Sequence, residues 1–414
     1  MKKRCLSLLS LLLVSVMLLN ITGCGDLSAS NLTEGLFRGK AESKTPDIQF
    51  KLAQFNFAVD LFKRSAKESE YENTLISPIS VMSALAMTAN GANGLTEEEM
   101  EAVLGGGMST EDLNAYLYAY LENLSDEVSL ANSIWFKENA ILVNETFLQT
   151  NKDYYDAEIF AAPFDKTTAN DVNAWVKDKT KKRIQKIIDE IDADSVMYLI
   201  NALTFDGEWM SKYEKEDVKD TVFTALDGEK QNVSMMYSTE YIYLSAKDAK
   251  GFIKNYKGGK YAFAALLPDE DIALSDYVQT LTGAKIAETL ASKQTTSVSV
   301  GIPQFSYAYD IEMKEVLKAM GMSSAFDGDT ADFTDIGTAN GDLYIGQVIH
   351  KTFIEVDTFG TKAAAVTLVD MKEETASTEL ENTKKVILDR PFVYMIIDTE
   401  TDLPIFIGTM TEID

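Results

Sequence analysis

Two cysteines and one histidine in 414 residues leave little for metal or nucleophile chemistry. A zinc site draws on several thiolates or imidazoles, and His350 has no second histidine to join it. No metal and no cofactor is expected. No G-x-S-x-G elbow accompanies His350, so a core histidine with satisfied hydrogen bonds is the default reading. A lipid-anchored enzyme is the competing one, and no catalytic constellation supports it. Cys5 and Cys24 both lie near the N-terminus, so the chain beyond them has neither thiol nor disulfide and relies on its core. Positive charge is also scarce: 38 basic residues face 65 acidic ones, a net charge of -27. That excludes the basic footprint of a nucleic-acid-binding protein and argues against a polyanion cofactor site. It favours a soluble, self-repelling monomer. The acidic stretch Asp327–Asp335 lacks the glutamate that closes an EF-hand loop and reads as solvated.

The N-terminus has the layout of an export signal. Met1-Lys2-Lys3-Arg4 is basic, and Leu6–Leu19 is an apolar run too short to be taken as a spanning helix. Ile21-Thr22-Gly23-Cys24 resembles a bacterial lipobox. Residues 1–23 are read as a lipoprotein signal, 24–46 as a lipidated Cys24 with a flexible tether, and 47–414 as one domain. The alternative is an ordinary signal peptide with a chance cysteine. Acylation of Cys24 would add two chains, enough for stable anchoring on the outer face of a bacterial membrane. The lipid is then the only expected membrane contact.

From Ile48 onward there is no linker, repeat or low-complexity block. Helical spacing is seen over Phe55–Phe62, Ile79–Met87, Asp112–Leu124 and Thr168–Asp189, and Thr96 begins a capped helix. Strand-like runs follow at Val196–Phe205, Tyr241–Leu244, Phe263–Leu267, Thr296–Phe305, Leu343–Ile354 and Val386–Asp398. Helices first and strands afterwards make an α+β fold with largely antiparallel sheets. Between Val356 and Val386 lie almost thirty residues with one glycine and no proline. Loops of that length inside a domain are uncommon and usually functional; a disordered insertion is the other possibility.

Five segments, in order, are similar to the serpin family. They are NTLISPISVMSALAMTANGANGLTEEEM (73–100), YLINALTFDGEW (198–209), FAALLPDE (263–270), IGQVIHKTFIEVDTFGTKAAAVT (345–367) and VILDRPFVYMII (386–397). The resemblance covers the chain beyond the tether. It implies three β-sheets, eight or nine helices and an exposed reactive loop over about 358–385. It also implies irreversible suicide-substrate inhibition of serine endopeptidases, with cysteine endopeptidases as the alternative class. The protease cuts the loop and forms an acyl-enzyme. The cut loop then inserts into the main sheet as a new strand and carries the protease with it. A non-inhibitory serpin acting as a binding or carrier protein is the alternative.

The loop has side chains suited to insertion. An inserted strand alternates its faces. With Thr361 inward, Ala363, Ala365 and Thr367 follow on the same face, all small, while Lys362, Ala364 and Val366 point outward. Gly360 supplies hinge freedom. An alanine run can also be helix, but Gly360 before it and Val366-Thr367 after it weigh against that. The chain departs from the family at Thr358 and Phe359, where acids are usual, and at Lys362, where glutamate is common. Counting forward from Thr361 with the family's spacing places the cut at Glu374-Thr375, or Thr375-Ala376 with one residue of slack. Counting back from Pro391 gives Leu380-Glu381. Glu374 suits a glutamate-preferring protease, Thr375 an elastase-like one. The resemblance also places Ser77, Ser80, Asn201 and His350 in a polar gate beneath the sheet opening, and Trp209 where the loop enters.

Overall fold

Two fully buried, mainly apolar stretches dictate the layout. Pro78–Ala89 (α2) is buried at all twelve positions, the behaviour of a helix that is apolar all round. Met197–Phe205 (β4) is buried at all nine, as a central strand covered on both faces must be. The computed structural model describes residues 27–192, 195–361 and 383–413.

The large sheet has eight strands. In chain order they are β1 (Ser30–Asn31), β2 (Val128–Lys137), β3 (Glu158–Ala162), β4, β5 (Gly207–Glu208), β6 (Phe305–Glu312), β7 (Gln347–Val356) and β8 (Gly360–Thr361). In space they run β1-β3-β2-β4-β7-β8-β5, with β6 on the outer side of β7. A second sheet of nine strands includes Lys230–Ala246, Phe392–Asp398 and Pro404–Met410, and Ile141–Val143 pairs with Gly337–Ala339 in a third. Nine α-helices surround them among the described residues. This is the α+β, three-sheet architecture.

The alternation of β4 divides the interior. Leu199 and Leu203 join the main core with α1 (Ile48–Glu68) and α2, while Tyr198, Ile200 and Ala202 face a second cluster beneath α3 (Lys166–Lys179). Trp175 of α3 and Trp135 of β2 belong to that second cluster.

Several expected boundaries are corrected. The helix expected over Thr168–Asp189 ends at Lys179. The Thr180 hydroxyl donates to the Val176 carbonyl and accepts the Ile184 N–H, and Lys181 and Lys182 turn to positive φ (50° and 66°). Ile184, Ile187 and Ile188 stay buried without being helical, which is why the apolar spacing overran. β7 starts at Gln347 rather than Leu343. The run Val386–Asp398 is two strands, Lys384–Ile387 and Phe392–Asp398, parted around Pro391, which has no N–H for a ladder. The run Thr296–Phe305 likewise divides after Pro303.

The free tether is corrected too, for its described part. Ser30 and Asn31 pair with Ala161 and Phe160 of β3, covering an edge that would otherwise present unpaired backbone groups. The Ala29 N–H (2.9 Å) and the Ser28 hydroxyl both donate to the Asp171 carboxylate on α3. Further on, Arg38 pairs with Glu122 and Lys44 with Asp112.

Candidate functional site

The centre of the large sheet is a parallel seam. Gln347–Thr352 of β7 lies in register against Tyr198–Leu203 of β4. At one level three polar side chains line up across three strands: Asn132 of β2 opposite Asn201 of β4, and Asn201 opposite His350 of β7. Asn201 donates through Nδ2 to the Asn132 Oδ1 and the Ser80 Oγ, and accepts through Oδ1 from His350 Nδ1. The Ser77 backbone N–H, at the start of α2, donates to His350 Nε2 at 3.1 Å. With Nε2 accepting, the ring is neutral with its proton on Nδ1. Asn201, His350, Ser77 and Ser80 are all fully buried. Ser77 contributes its backbone; its buried hydroxyl has no partner among the described residues.

Burial pushes the His350 pKa down to about 3. In the unfolded chain the imidazole titrates near 6.5. Between these values the unfolded state holds one more proton, so stability falls as pH falls through that window. A loss of about 2 kcal/mol between pH 6.5 and 5 is expected from this group, at about 1.4 kcal/mol per unit. Because the chain has one histidine, its ring proton can be followed alone by NMR. A resonance static from pH 7.5 to 5 is the expected result; titration near 6.5 would show the ring solvated.

At the end of the seam the chain reverses. The Asp357 carboxylate accepts the Phe359 N–H at 2.7 Å and the Gly360 N–H at 3.0 Å, a side-chain-closed turn. β8 then runs back between the ends of the two central strands: Thr361 pairs with Val356 of β7 and with Gly207 of β5, and Gly360 with Glu208. Gly360 is required by contact rather than by a left-handed φ, since a Cβ there would lie 2.0 Å from the Gly207 carbonyl oxygen. Thr361 is buried and its hydroxyl meets that of Tyr256.

Trp209 anchors this turn instead of joining the polar line. Its indole N–H donates to the Asp357 carbonyl and its backbone N–H to that of Phe359, each at 2.8 Å. It stacks on Tyr256 with 4.5 Å between centroids. The Tyr213 N–H donates to the Thr358 carbonyl at 3.1 Å. Beneath lies Lys254, 2 % exposed, paired with Glu240 at 2.7 Å and 4.5 Å from the Tyr213 ring centroid. Thr358 and Phe359 are thus held through their carbonyls, which any side chain leaves available, and Lys212 lies over the Phe359 ring.

Ala363, Ala364, Ala365, Val366 and Thr367 lie outside the described residues, as do Glu374, Thr375, Ala376, Leu380 and Glu381, and Cys24. Sequence reasoning missed Asn132, Tyr213, Tyr256, Lys254 and Asp357. Of these only Asp357 carried a signal, an aspartate three residues before a glycine, the composition of a turn.

A family model described as Serpin (serine protease inhibitor) matches residues 52–413. An uncharacterized serpin-like protein of Methanosarcina acetivorans is 30% identical over 365 residues, spanning 85% of this chain and 83% of that protein. Human neuroserpin is 28% identical over 375 residues, covering 85% and 89%. Among solved structures, the thermophilic serpin tengpin in its native state is 46% identical, with a TM-score of 0.88 over 93% of this chain and all of that one.

Proposed function

The chain belongs to the serpin family, and from that premise we propose that it is an irreversible inhibitor of serine endopeptidases whose cut loop becomes a strand between β4 and β7. The protease serine oxygen attacks a loop carbonyl, forms an ester to the residue before the cut, and releases the following residue as a new N-terminus. The segment from Thr361 then enters the seam.

One observation carries this reading: β8 already lies between the ends of the two central strands. Because β4 and β7 are parallel, a strand continuing from β8 runs antiparallel to both. Insertion exchanges one parallel pairing for two antiparallel ones, which are the more stable per residue. About ten added ladder hydrogen bonds at roughly 1 kcal/mol each supply on the order of 10 kcal/mol. Continuing the alternation from buried Thr361 puts Ala363, Ala365 and Thr367 inward, small enough for a packed interior. The line Asn132–Asn201–His350 crosses the seam and has to part, so it acts as a latch. Trp209 and its neighbours hold the turn from which insertion starts.

The cut is proposed at Glu374-Thr375 or Thr375-Ala376, because hinge-side length sets how far the protease is carried. The mature protein is proposed to be a monomer held at the bacterial cell surface through acylated Cys24. The test is a panel of elastase-like, glutamate-specific, chymotrypsin-like and subtilisin-like proteases. A covalent complex stable in denaturing gels, with a released peptide starting at Thr375 or Ala376, is expected with at least one. Clean cleavage without complex throughout would favour a binding or carrier role.

A further inference from the structure

The turn after α3 carries charge that runs against the rest of the chain. Six of the basic residues fall within 177–186, beside a single acid, Asp178. Three are ion-paired: Lys179 with Glu158 at 2.9 Å, Arg183 with Asp206 at 2.8 Å, and Lys186 with Asp189. Lys177, Lys181 and Lys182 are exposed and make no ion pair among the described residues. They sit on a defined turn. The Lys182 N–H donates to the Lys177 carbonyl at 2.6 Å and the Lys181 N–H to the Asp178 carbonyl at 3.0 Å.

The start of the described chain lies on the same helix. Ser28 and Ala29 are bound to Asp171 of α3. Lys177 follows Asp171 by six residues, about 9 Å of helix rise. Cys24 precedes Leu27 by three residues, which span at most about 10 Å. A lipid on Cys24 would therefore hold the bilayer surface within on the order of 20 Å of this turn.

We propose that this turn is the membrane-facing side of the domain, with Lys177, Lys181 and Lys182 resting on anionic lipid headgroups beside the anchor. The inference rests on the anchor proposed above and adds a direct contact between domain and lipid. The overall negative charge does not oppose it. Charges more than about 8 Å from the surface are screened at physiological salt, so only the nearest face is attracted, and repulsion turns the acidic faces outward. Each lysine near an anionic surface is worth roughly fivefold in partition.

The test uses the mature chain carrying Cys24→Ser, which has no lipid, in co-sedimentation with vesicles. The vesicles are phosphatidylcholine alone or an equal mixture with phosphatidylglycerol. Binding to the mixed vesicles at least about tenfold above pure phosphatidylcholine is expected at about 0.15 M salt, where the distant acidic faces are screened. It should vanish at high salt and in a K177E/K181E/K182E variant whose melting is unchanged. Equal partition into both vesicles, or full binding by the triple variant, overturns the proposal. So does retention on a soluble polyanion without vesicle binding. Salt dependence of the unmodified chain decides the matter if the variant does not fold. The anchor itself is judged separately, by the intact mass of protein taken from the native membrane: a missing lipid removes the anchor and leaves the vesicle result standing.

Discussion

Cutting the loop once, anywhere within residues 370–380, is expected to raise the thermal midpoint by on the order of 15 °C. The gain is the exchange of ladders at the seam. Before the cut the segment beyond Thr361 is tied at its far end to Lys384–Ile387, which pairs with Val298–Gly301 in the other sheet. It cannot run the length of the seam until that end is released, either by a cut or by the slower peeling of Lys384–Ile387 from Val298–Gly301. Cutting frees it, and about 10 kcal/mol of new pairing becomes accessible. Scanning calorimetry of intact and cut protein reads the shift. Equal midpoints would mean that the seam does not accept the strand, and the inhibitory mechanism would fall with it.

Replacing Asn201 with alanine is expected to convert the intact protein to an inserted monomer or to polymers within hours of warming. The side chain satisfies groups on both sides of the seam and on α2. Its loss leaves the His350 Nδ1–H without an acceptor and the Asn132 Oδ1 without its donor. One to three kcal/mol for each orphaned group makes roughly 3 kcal/mol of destabilisation. Only the His350 share, about 1–3 kcal/mol, falls on the closed sheet alone, because the open sheet has already given up that bond; the Asn132 bond lies on the β4 side of the seam and is lost from both. His350→Ala should act in the same direction. Native gels and size exclusion before and after warming, together with the stoichiometry of inhibition, check both variants. Unchanged melting and unchanged stoichiometry would remove the latch.

Much of this fold could be read from residue order because its strongest elements are also its most local. The apolar run that became β4 and the all-buried α2 need no distant partner to be recognised. The strap at Ser28–Asn31 is different. Two residues of strand next to polar sequence carry no periodicity, and their partners Phe160, Ala161 and Asp171 lie well over a hundred residues away. The contacts among Asn201, His350, Ser77 and Ser80 were legible only through the family resemblance, because a lone histidine and an asparagine on an apolar strand look alike whether or not they meet. Asn132 escaped even that. Trp209 was placed near the hinge, but not the aromatic and cationic support of Tyr256, Tyr213 and Lys254, which comes from a lone bridge between Trp209 and Tyr256, from a non-strand segment after Trp209 and from the end of the strand Ala249–Asn255, and none of these has a local pattern.

The hairpin that returns through Asp357 fixes the order in which anything else can happen. With its first rungs already made, a zipper needs no search for register; it closes tooth by tooth from the top. One oversized tooth therefore stalls all those below it, and the depth reached should report the position of the obstacle.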